Sequence, residues 1–352
     1  MSAAIAQAQF PKVESIDFYG VKKTSRERLQ KALGLGESER LSASKTTLEE
    51  RLDKVSGVVA SHVEAVCCEN DGILLFVGVE EKGGTHFAPR SAPFGKADLP
   101  PEILEAYSDF TEAAARAAQA GNLAEDLTRG HSLMADLTAR GAQERFVGLA
   151  ELHIAALRKV LRESADEDQR TVAAFVIGYY PTKRLVVDDL QIALQDPSAS
   201  VRANALRAFG AIAVLAVSDP ELGIKVQPTW FIELLNSVVW SDRVKAVSTL
   251  LNLTDGREPR ILESMKERSV ESLIEMARWK SLRHAIGPFT LLGRMAGFPE
   301  EEIRQAWTEG DREIVIKKLR KDIKETKKQR DMGPPPLPAN YPGPFPTTRP
   351  AR

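Results

Sequence analysis

A recurring pattern of helix starts in the second half of the chain limits the fold more than any other feature. Four predicted helices begin at a cationic residue that small and apolar residues follow, with predicted partner helices between them. These cations are Arg170, Arg202, Lys245 and Arg283, which lie 32, 43 and 38 residues apart. A period near 40 residues with two helices per unit is typical of an α-solenoid, in which each pair buries its apolar face against its neighbours. We therefore predict an all-α helical-repeat solenoid of about four units over residues 144–310.

One of these units has a more specific pattern. From Leu190 to Gly210 the chain reads Leu-x-x-Ala-Leu-x-Asp-Pro-x-x-x-Val-Arg-x-x-Ala-x-x-Ala-x-Gly, which resembles a HEAT repeat. Asp196 precedes Arg202 by six residues, the spacing at which HEAT repeats form an Asp–Arg ladder between stacked units. The positions six residues before Lys245 and Arg283 are not acidic. The resemblance therefore implies a degenerate array with a broken ladder.

Residues 11–82 predict a small α+β domain ahead of the solenoid. An apolar run that stops at Gly20 indicates a strand, and two helix signals follow, the first a capping box that begins at Thr24. The stretch from residue 59 to residue 80 predicts two strands around Asn70-Asp71-Gly72, a strong hairpin signal. The predicted order is β-α-α-β-β. Cys67 and Cys68 are neighbours in the first of these strands, where side chains alternate between faces, so no bridge between them is expected.

This order resembles the polypeptide-transport-associated (POTRA) domain. The residues that carry the resemblance are Val13, Ile16, Gly20, Leu29, Leu33, Gly36, Leu48, Leu52, Gly57, Val58, Gly72, Leu75, Val77, Val79 and Glu81. POTRA domains lie outside the cytoplasm and bind other polypeptides, partly by pairing an exposed sheet edge with an extended segment. The resemblance implies a polypeptide partner and a location in the periplasm or cell envelope. The outer-membrane barrel or anchor that usually accompanies the family is not recognised in the sequence.

The remaining segments are defined by composition. They are a signal-peptide remnant or disordered start over 1–10, a linker over 83–101, a helical connector over 102–143, a basic terminal helix over 311–330 and a proline-rich disordered tail over 331–352. Ala6-Gln7-Ala8 has the form of a signal-peptidase site, but the apolar stretch that should precede it is missing. The longest purely apolar run, residues 211–217, is shorter than the roughly 20 residues of a membrane span. The terminal helix is either a solvated edge or a contact for an anionic partner, including lipid.

Composition disfavours most enzymes and nucleic-acid-binding proteins. With 48 basic and 49 acidic side chains the chain is nearly neutral, whereas a nucleic-acid-binding surface is basic. Five histidines and two cysteines form no metal-ligand spacing, and no phosphate loop, dinucleotide fingerprint or nucleophile elbow occurs. We expect no catalytic residue, cofactor, metal or small-molecule substrate. HEAT-like enzymes such as DNA glycosylases and chromophore lyases remain an alternative, for which Trp240, Asp242, Arg243 and Trp279 would form the site.

The resulting hypothesis is a non-catalytic adaptor or scaffold of the cell envelope that binds polypeptide partners, with peripheral membrane contact as an option. The candidate binding residues belong to the predicted sheet edge and to the polar face of the repeat helices. They are Ile73, Leu75 and Val77 on the edge, and Arg202, Arg207, Lys245 and Arg283 on the helices. For Arg202, pairing between units is a competing interpretation. The alternative function is that of a cytoplasmic HEAT-repeat scaffold.

Overall fold

A computed structural model describes residues 11–69 and 72–331. The strands in these ranges are β1 (Val13–Tyr19), β2 (Val58–Glu69), β3 (Gly72–Glu81), β4 (Glu125–Asp126) and β5 (Leu133–Met134). The helices are α1 (Arg26–Leu33), α2 (Lys45–Asp53), α3 (Pro101–Gln119), α4 (Leu137–Leu152), α5 (Ile154–Glu163), α6 (Glu167–Ile177), α7 (Val187–Ala193), α8 (Ala199–Ser218), α9 (Thr229–Leu234), α10 (Trp240–Leu253), α11 (Pro259–Arg268), α12 (Val270–Ala277), α13 (Leu282–Met295), α14 (Glu300–Thr308) and α15 (Arg312–Asp331).

The predicted division into a small α+β region and a helical region is confirmed at this level. The predicted order β-α-α-β-β is present from β1 to β3. Ser25 rather than Thr24 caps α1, because its side chain accepts a hydrogen bond from the backbone N–H of Arg28. The predicted segments 1–10 and 332–352 and the turn residues 70 and 71 lie outside the described residues.

The sheet places β3 in the middle, in the order β1-β3-β2. β1 runs parallel to β3, and β2 runs antiparallel to it. The prediction of an exposed sheet edge at Ile73, Leu75 and Val77 is therefore wrong, because β3 is paired on both sides. All three side chains are buried in the core beneath α1 and α2.

The true edges of the sheet are β1 and β2, and both are partly covered. On β1, the backbone N–H of Ile16 donates to Glu37 at 3.0 Å, within the loop that follows α1. On β2, the N–H of Val63 donates to Glu49 at 2.8 Å, and the carbonyl of Cys67 accepts from Arg283 at 3.2 Å. These side chains satisfy backbone groups that an added strand would need.

The prediction that Cys67 and Cys68 do not bridge depends on the side chain of Cys68, which lies outside the described residues.

The second face of the sheet packs directly against the helical region. The Phe76 ring lies 5.2 Å from the ring of Trp240 and 4.8 Å from that of Trp279, measured between centroids. The Tyr19 hydroxyl donates to the carbonyl of Val238 at 2.7 Å. Gly78 permits this contact, because a Cβ there would lie 2.2 Å from the same carbonyl oxygen. Tyr19, Leu74 and Phe76 on this face of the sheet therefore belong to the apolar core of the helical region, whereas the opposite face forms a separate core with α1 and α2.

The helical region is built from consecutive pairs. α5 packs on α6, α7 on α8, α9 on α10 and α12 on α13, and the second members α6, α8, α10 and α13 contact one another in a row. By length and composition α8 could span a membrane, but half of its most apolar window is buried in the fold, and it carries Arg202 and Arg207. α15 packs on α13 and α14 through Val315, Ile316 and Leu319, which are buried.

Three arginines make the same internal contact in successive pairs. Arg170, Arg202 and Arg243 each donate to the carbonyl six residues earlier, at Ser164, Asp196 and Ser237. Each also reaches a carboxylate of the next pair, in the contacts Arg170–Asp196, Arg202–Asp242 and Arg243–Glu275. Arg283, the fourth predicted cation, donates instead to the Cys67 carbonyl of the sheet. The contact recurs over these three pairs, so the predicted break at the third unit is wrong.

The reason is a shift of register that the sequence pattern did not anticipate. The equivalent of Arg202 in the third pair is Arg243, not Lys245. Asp242, the residue directly before Arg243, is the carboxylate that pairs with Arg202. Ser237 occupies the position that Asp196 holds in the second pair, and its hydroxyl donates to Asp242 at 2.7 Å. The third pair therefore makes the equivalent arginine contact with Ser237 in place of an aspartate, and with an arginine two residues before the predicted cation Lys245.

The predicted linker, residues 83–101, is an extended strap that is fixed to the helices. Its side chains at Phe87, Ala97 and Leu99 are buried. The Arg90 guanidinium donates to Asp196 at 2.9 Å, and the backbone N–H of Gly95 donates to the Glu163 carbonyl at 2.8 Å. The expectation of a separate linker is corrected, because buried side chains and backbone hydrogen bonds hold the strap.

The predicted connector 102–143 is also revised. After α3 the chain forms a short hairpin of β4 and β5, which the sequence pattern did not predict. α4 crosses the predicted boundary at residue 144 and ends at Leu152, and α5 starts two residues later. The Asp136 side chain caps α4 by accepting from the N–H groups of Thr138 and Ala139, and this fixes the hairpin against the helices.

Candidate interaction groove

Three neighbouring depressions lie along the second helices α8, α10 and α13 and together form a candidate binding surface. The first depression is small, and the others have volumes of about 310 Å³ and about 200 Å³. Arg207 lines the first and second depressions, and Ser248 lines the second and third. We call this surface the helix-face groove. Its principal residues are Glu125, His131, Ser132, Arg207, Val244, Lys245, Ser248, Leu251, Arg283 and Ile286.

The structure brings three of the four predicted cations of the helices together in this groove. Arg207, Lys245 and Arg283 line it, in that order along the row of helices. Arg202 does not, since it is 4% exposed and donates twice to Asp242, at 3.0 and 2.7 Å. Its prediction as a binding residue is wrong, and the competing interpretation of pairing between units is correct.

Arg207 is held at the start of the groove by the β4–β5 hairpin. Its guanidinium pairs with the carboxylate of Glu125 and donates to the Ser132 hydroxyl at 3.1 Å. It also lies over the Phe175 ring, 5.1 Å from the centroid. These contacts fix the direction of the guanidinium while leaving it in contact with the groove.

Lys245 lies in the middle of the groove. Its ammonium group donates to the Ala203 carbonyl at 3.2 Å, and an ammonium group carries three donors. Burial lowers the pKa of Lys245, and the neighbouring Arg207 lowers it further, whereas Asp242 and Glu125 act in the opposite direction. The positive charge of this site is therefore incompletely compensated, which favours an added anion.

Arg283 marks the far end, at the start of α13. Its side chain is exposed and donates to the Cys67 carbonyl at 3.2 Å. Between Lys245 and Arg283 the groove is mostly apolar, with Val244, Leu251 and Ile286 in its lining. Arg207 and Lys245 thus line the first two depressions, an apolar stretch follows them, and Arg283 is a third cation at the far end.

Two titratable groups lie at the opposite end, and neither was predicted from the sequence as a site residue. His131 lines the first depression, and Lys183, which is 3% exposed, lies behind it. The Lys183 ammonium donates to the Gly178 carbonyl at 2.7 Å and lies 3.4 Å from Nδ1 of His131. Burial lowers the pKa of Lys183 to about 7, and burial and the Lys183 charge lower the pKa of His131 to about 4. Nothing in the sequence around Lys183 signals its burial, because it lies in a single 3₁₀ turn between α6 and α7.

A depression of about 260 Å³ also lies beside β2, lined by Leu41, Lys45, Leu48, Val63, Glu64, Ala65 and Leu75. It adjoins β2, one of the two edge strands of the sheet. The Val63 N–H is already bonded to Glu49, so this edge lacks one of the donors that strand addition requires. The helix-face groove is the better supported binding surface.

The residues considered for an enzyme site do not line the helix-face groove. Trp279, Asp242 and Arg243 are buried, and Trp240 stacks on Phe76 of the sheet. Arg243 lies over the Tyr19 ring at 4.5 Å, so the sheet covers this cluster. Within the described ranges, no group of three or more His, Cys, Asp or Glu side chains is arranged to hold a metal ion.

No protein-family model matches the chain, and a search of curated proteins found no match.

Proposed function

We propose that this protein is a non-catalytic adaptor that binds a polypeptide partner in the helix-face groove. The observation that carries this proposal is the alignment of Arg207, Lys245 and Arg283 along one open groove. Among the described residues that line it, these three cations face a single carboxylate, Glu125. An extended partner segment with acidic and apolar side chains would match this sequence of charge and apolar surface.

A polypeptide fits the groove better than the other ligand classes considered. A small molecule is usually enclosed by its site, whereas this groove is open along three helices. A nucleic acid requires a broad basic surface, and the charges of this chain are balanced. A groove with a few cations and an apolar stretch is suited to a protein segment. The apolar side chains of such a segment contribute affinity, and its charged side chains contribute selectivity.

The family assignments belong to the same proposal. The repeated contact of Arg170, Arg202 and Arg243 supports a HEAT-like solenoid. The β-α-α-β-β order supports a POTRA-like N-terminal region, and with it a location in the periplasm or cell envelope. Contact of the lysine-rich α15 with an anionic lipid surface is part of this option. A cytoplasmic scaffold with the same groove is the alternative, and the two differ in where the partner is found.

Site-specific photo-crosslinking tests the proposed function. A photoreactive amino acid at Ser248, which is exposed in the middle of the groove, should give a cross-linked polypeptide in cell extracts. Mass spectrometry should identify an acidic segment at the cross-link. The same amino acid at Gln305, exposed on α14, serves as the control position.

The product should disappear in the variant Arg207→Glu/Lys245→Glu and persist in Arg145→Glu, which changes an exposed cation outside the groove. Fractionation of the extract separates the envelope location from the cytoplasmic one. Equal products at Ser248 and Gln305, or a product that is insensitive to the charge reversal, would contradict the proposed function.

A further inference from the structure

We propose, on the basis of the function proposed above, that Arg207 and Lys245 form a subsite for a carboxylate of the partner and that Glu125 occupies this subsite in the free protein. Glu125 is then an internal placeholder, which the partner must displace. Three properties of the β4–β5 hairpin support this inference: its direction, its alternation of side chains and its small size.

The hairpin directs one carboxylate into the groove and the next one away from it. Glu125 pairs with Arg207 and lines the same depression as Lys245. Asp126, its neighbour on β4, accepts hydrogen bonds from the backbone and hydroxyl of Thr128 at 3.0 and 2.7 Å and pairs with Arg140 at 3.5 Å. Adjacent residues of a strand face opposite sides, so Glu125 pairs with Arg207 in the depression that Lys245 also lines, and Asp126 does not.

The contact of Glu125 is weak enough to be exchanged. The side chains of Arg207 and Glu125 are 22% and 33% exposed, and partly solvated ion pairs of this kind contribute little net stability. β4 and β5 have two residues each, which is too short for a hairpin that is stable by itself. A partner carboxylate would replace one ion pair by an equivalent one without opening the core.

Lys245 explains why the partner carboxylate would bind more favourably than Glu125, which it displaces. Burial and the adjacent Arg207 disfavour its charge, and Glu125 compensates this only in part. The ammonium group has one hydrogen-bond acceptor among the described residues, the Ala203 carbonyl. An acidic side chain between Lys245 and Arg207 would supply both the charge and an acceptor.

Fluorescence anisotropy with the full chain and fluorescein-labelled poly-L-glutamate at low salt tests the inference. The variant Glu125→Gln should bind about two- to fivefold more tightly than the wild type, because a weak internal competitor is removed. Asp126→Asn is the matched control, since it makes the same charge change one residue away and should leave the affinity at the wild-type value. Lys245→Gln and Arg207→Gln should each weaken binding, and circular dichroism verifies that every variant is folded.

The outcomes distinguish the inference from the proposed function. If Glu125→Gln and Asp126→Asn bind equally, the placeholder is refuted, while loss of binding in Lys245→Gln still supports the groove. If neither Arg207→Gln nor Lys245→Gln changes the affinity for poly-L-glutamate, both the inference and the proposed function fail. If a single-stranded DNA oligonucleotide competes as well as unlabelled poly-L-glutamate, the subsite is a general polyanion site, which overturns the carboxylate assignment.

Discussion

Replacing Arg202 by Met should destabilise the fold strongly, because it leaves a buried carboxylate without its cation. Asp242 is fully buried, and its remaining donor is the Ser237 hydroxyl at 2.7 Å. Arg202 also donates to the carbonyls of Asp196 and Pro197 at 2.8 and 2.9 Å. Removing one partner of a buried ion pair costs about 3–5 kcal/mol. The free energy of unfolding should therefore fall by about that amount.

Two comparisons isolate the cause. Arg145 pairs with Asp109 at 2.7 Å on the exposed surface, and Arg145→Met should cost less than about 1 kcal/mol. The double variant Arg202→Met/Asp242→Leu removes both buried charges and should be more stable than Arg202→Met alone, because no uncompensated charge remains.

Urea denaturation followed by far-UV circular dichroism and tryptophan fluorescence measures these differences. Coincident transitions would justify a two-state free energy for a protein of this size. The reasoning is refuted if Arg202→Met lies within about 1 kcal/mol of the wild type, a cost typical of exposed pairs, or if the double variant is no more stable than the single one. Arg202 would then return as a candidate for partner binding.

Three further changes test the packing and the titratable groups. Phe76→Ala should cost about 3–5 kcal/mol and change the tryptophan emission, because the ring fills the contact between sheet and helices, whereas Phe94→Ala, at a side chain that is 96% exposed, should change stability by less than about 0.5 kcal/mol. Burial acts to raise the pKa of Glu81, but hydrogen bonds from the backbone N–H groups of residues 22–24 outweigh it and lower the pKa. Glu81→Gln should therefore have a lower free energy of unfolding than the wild type at neutral pH. Urea titrations at several pH values should show this difference shrinking as the pH falls through the lowered pKa of the folded wild type. A difference that does not change with pH would contradict this. The pKa of Lys183 falls from 10.5 to about 7 on folding, so between these pH values the unfolded chain binds more protons than the folded one. The free energy of unfolding of the wild type should therefore rise with pH in that window, and Lys183→Met should reduce the rise. If the slope of unfolding free energy against pH is the same in both proteins, the amine titrates normally.

Much of the architecture follows from the sequence, because it depends on local signals. Helix periodicity and the apolar strands around the hairpin signal at 70–72 identify the small α+β region and the helical region. The predicted helices that carry Arg170 and Arg202 correspond to the helices that carry the buried arginines of two successive pairs. Local patterns of this kind are set by the periods of helix and strand and by turn chemistry, and they need no knowledge of distant contacts.

The candidate site was predicted only in part, for the same reason. Lys245 and Arg283 were identified at recurring positions of predicted helices, and Arg207 on the polar face of the same helix as Arg202. Arg202, with the same local pattern, is buried, because its carboxylate comes from Asp242 in the next helix pair. Glu125 and Lys183 gave no local signal, and they become relevant only where the hairpin and the loop before α7 meet the groove.

The sequence by itself determined the element order of the small α+β region, the mainly helical character of residues beyond the strap and the presence of cations on the second helices. The tertiary structure decided which strand lies in the middle of the sheet, how the sheet docks on the helices and which cations remain accessible. Strand order depends on the parallel pairing of β1 with β3, and accessibility depends on carboxylates and rings that are far away in the chain. A pattern read along the chain cannot register such contacts, because their energy arises only when distant segments exclude water together.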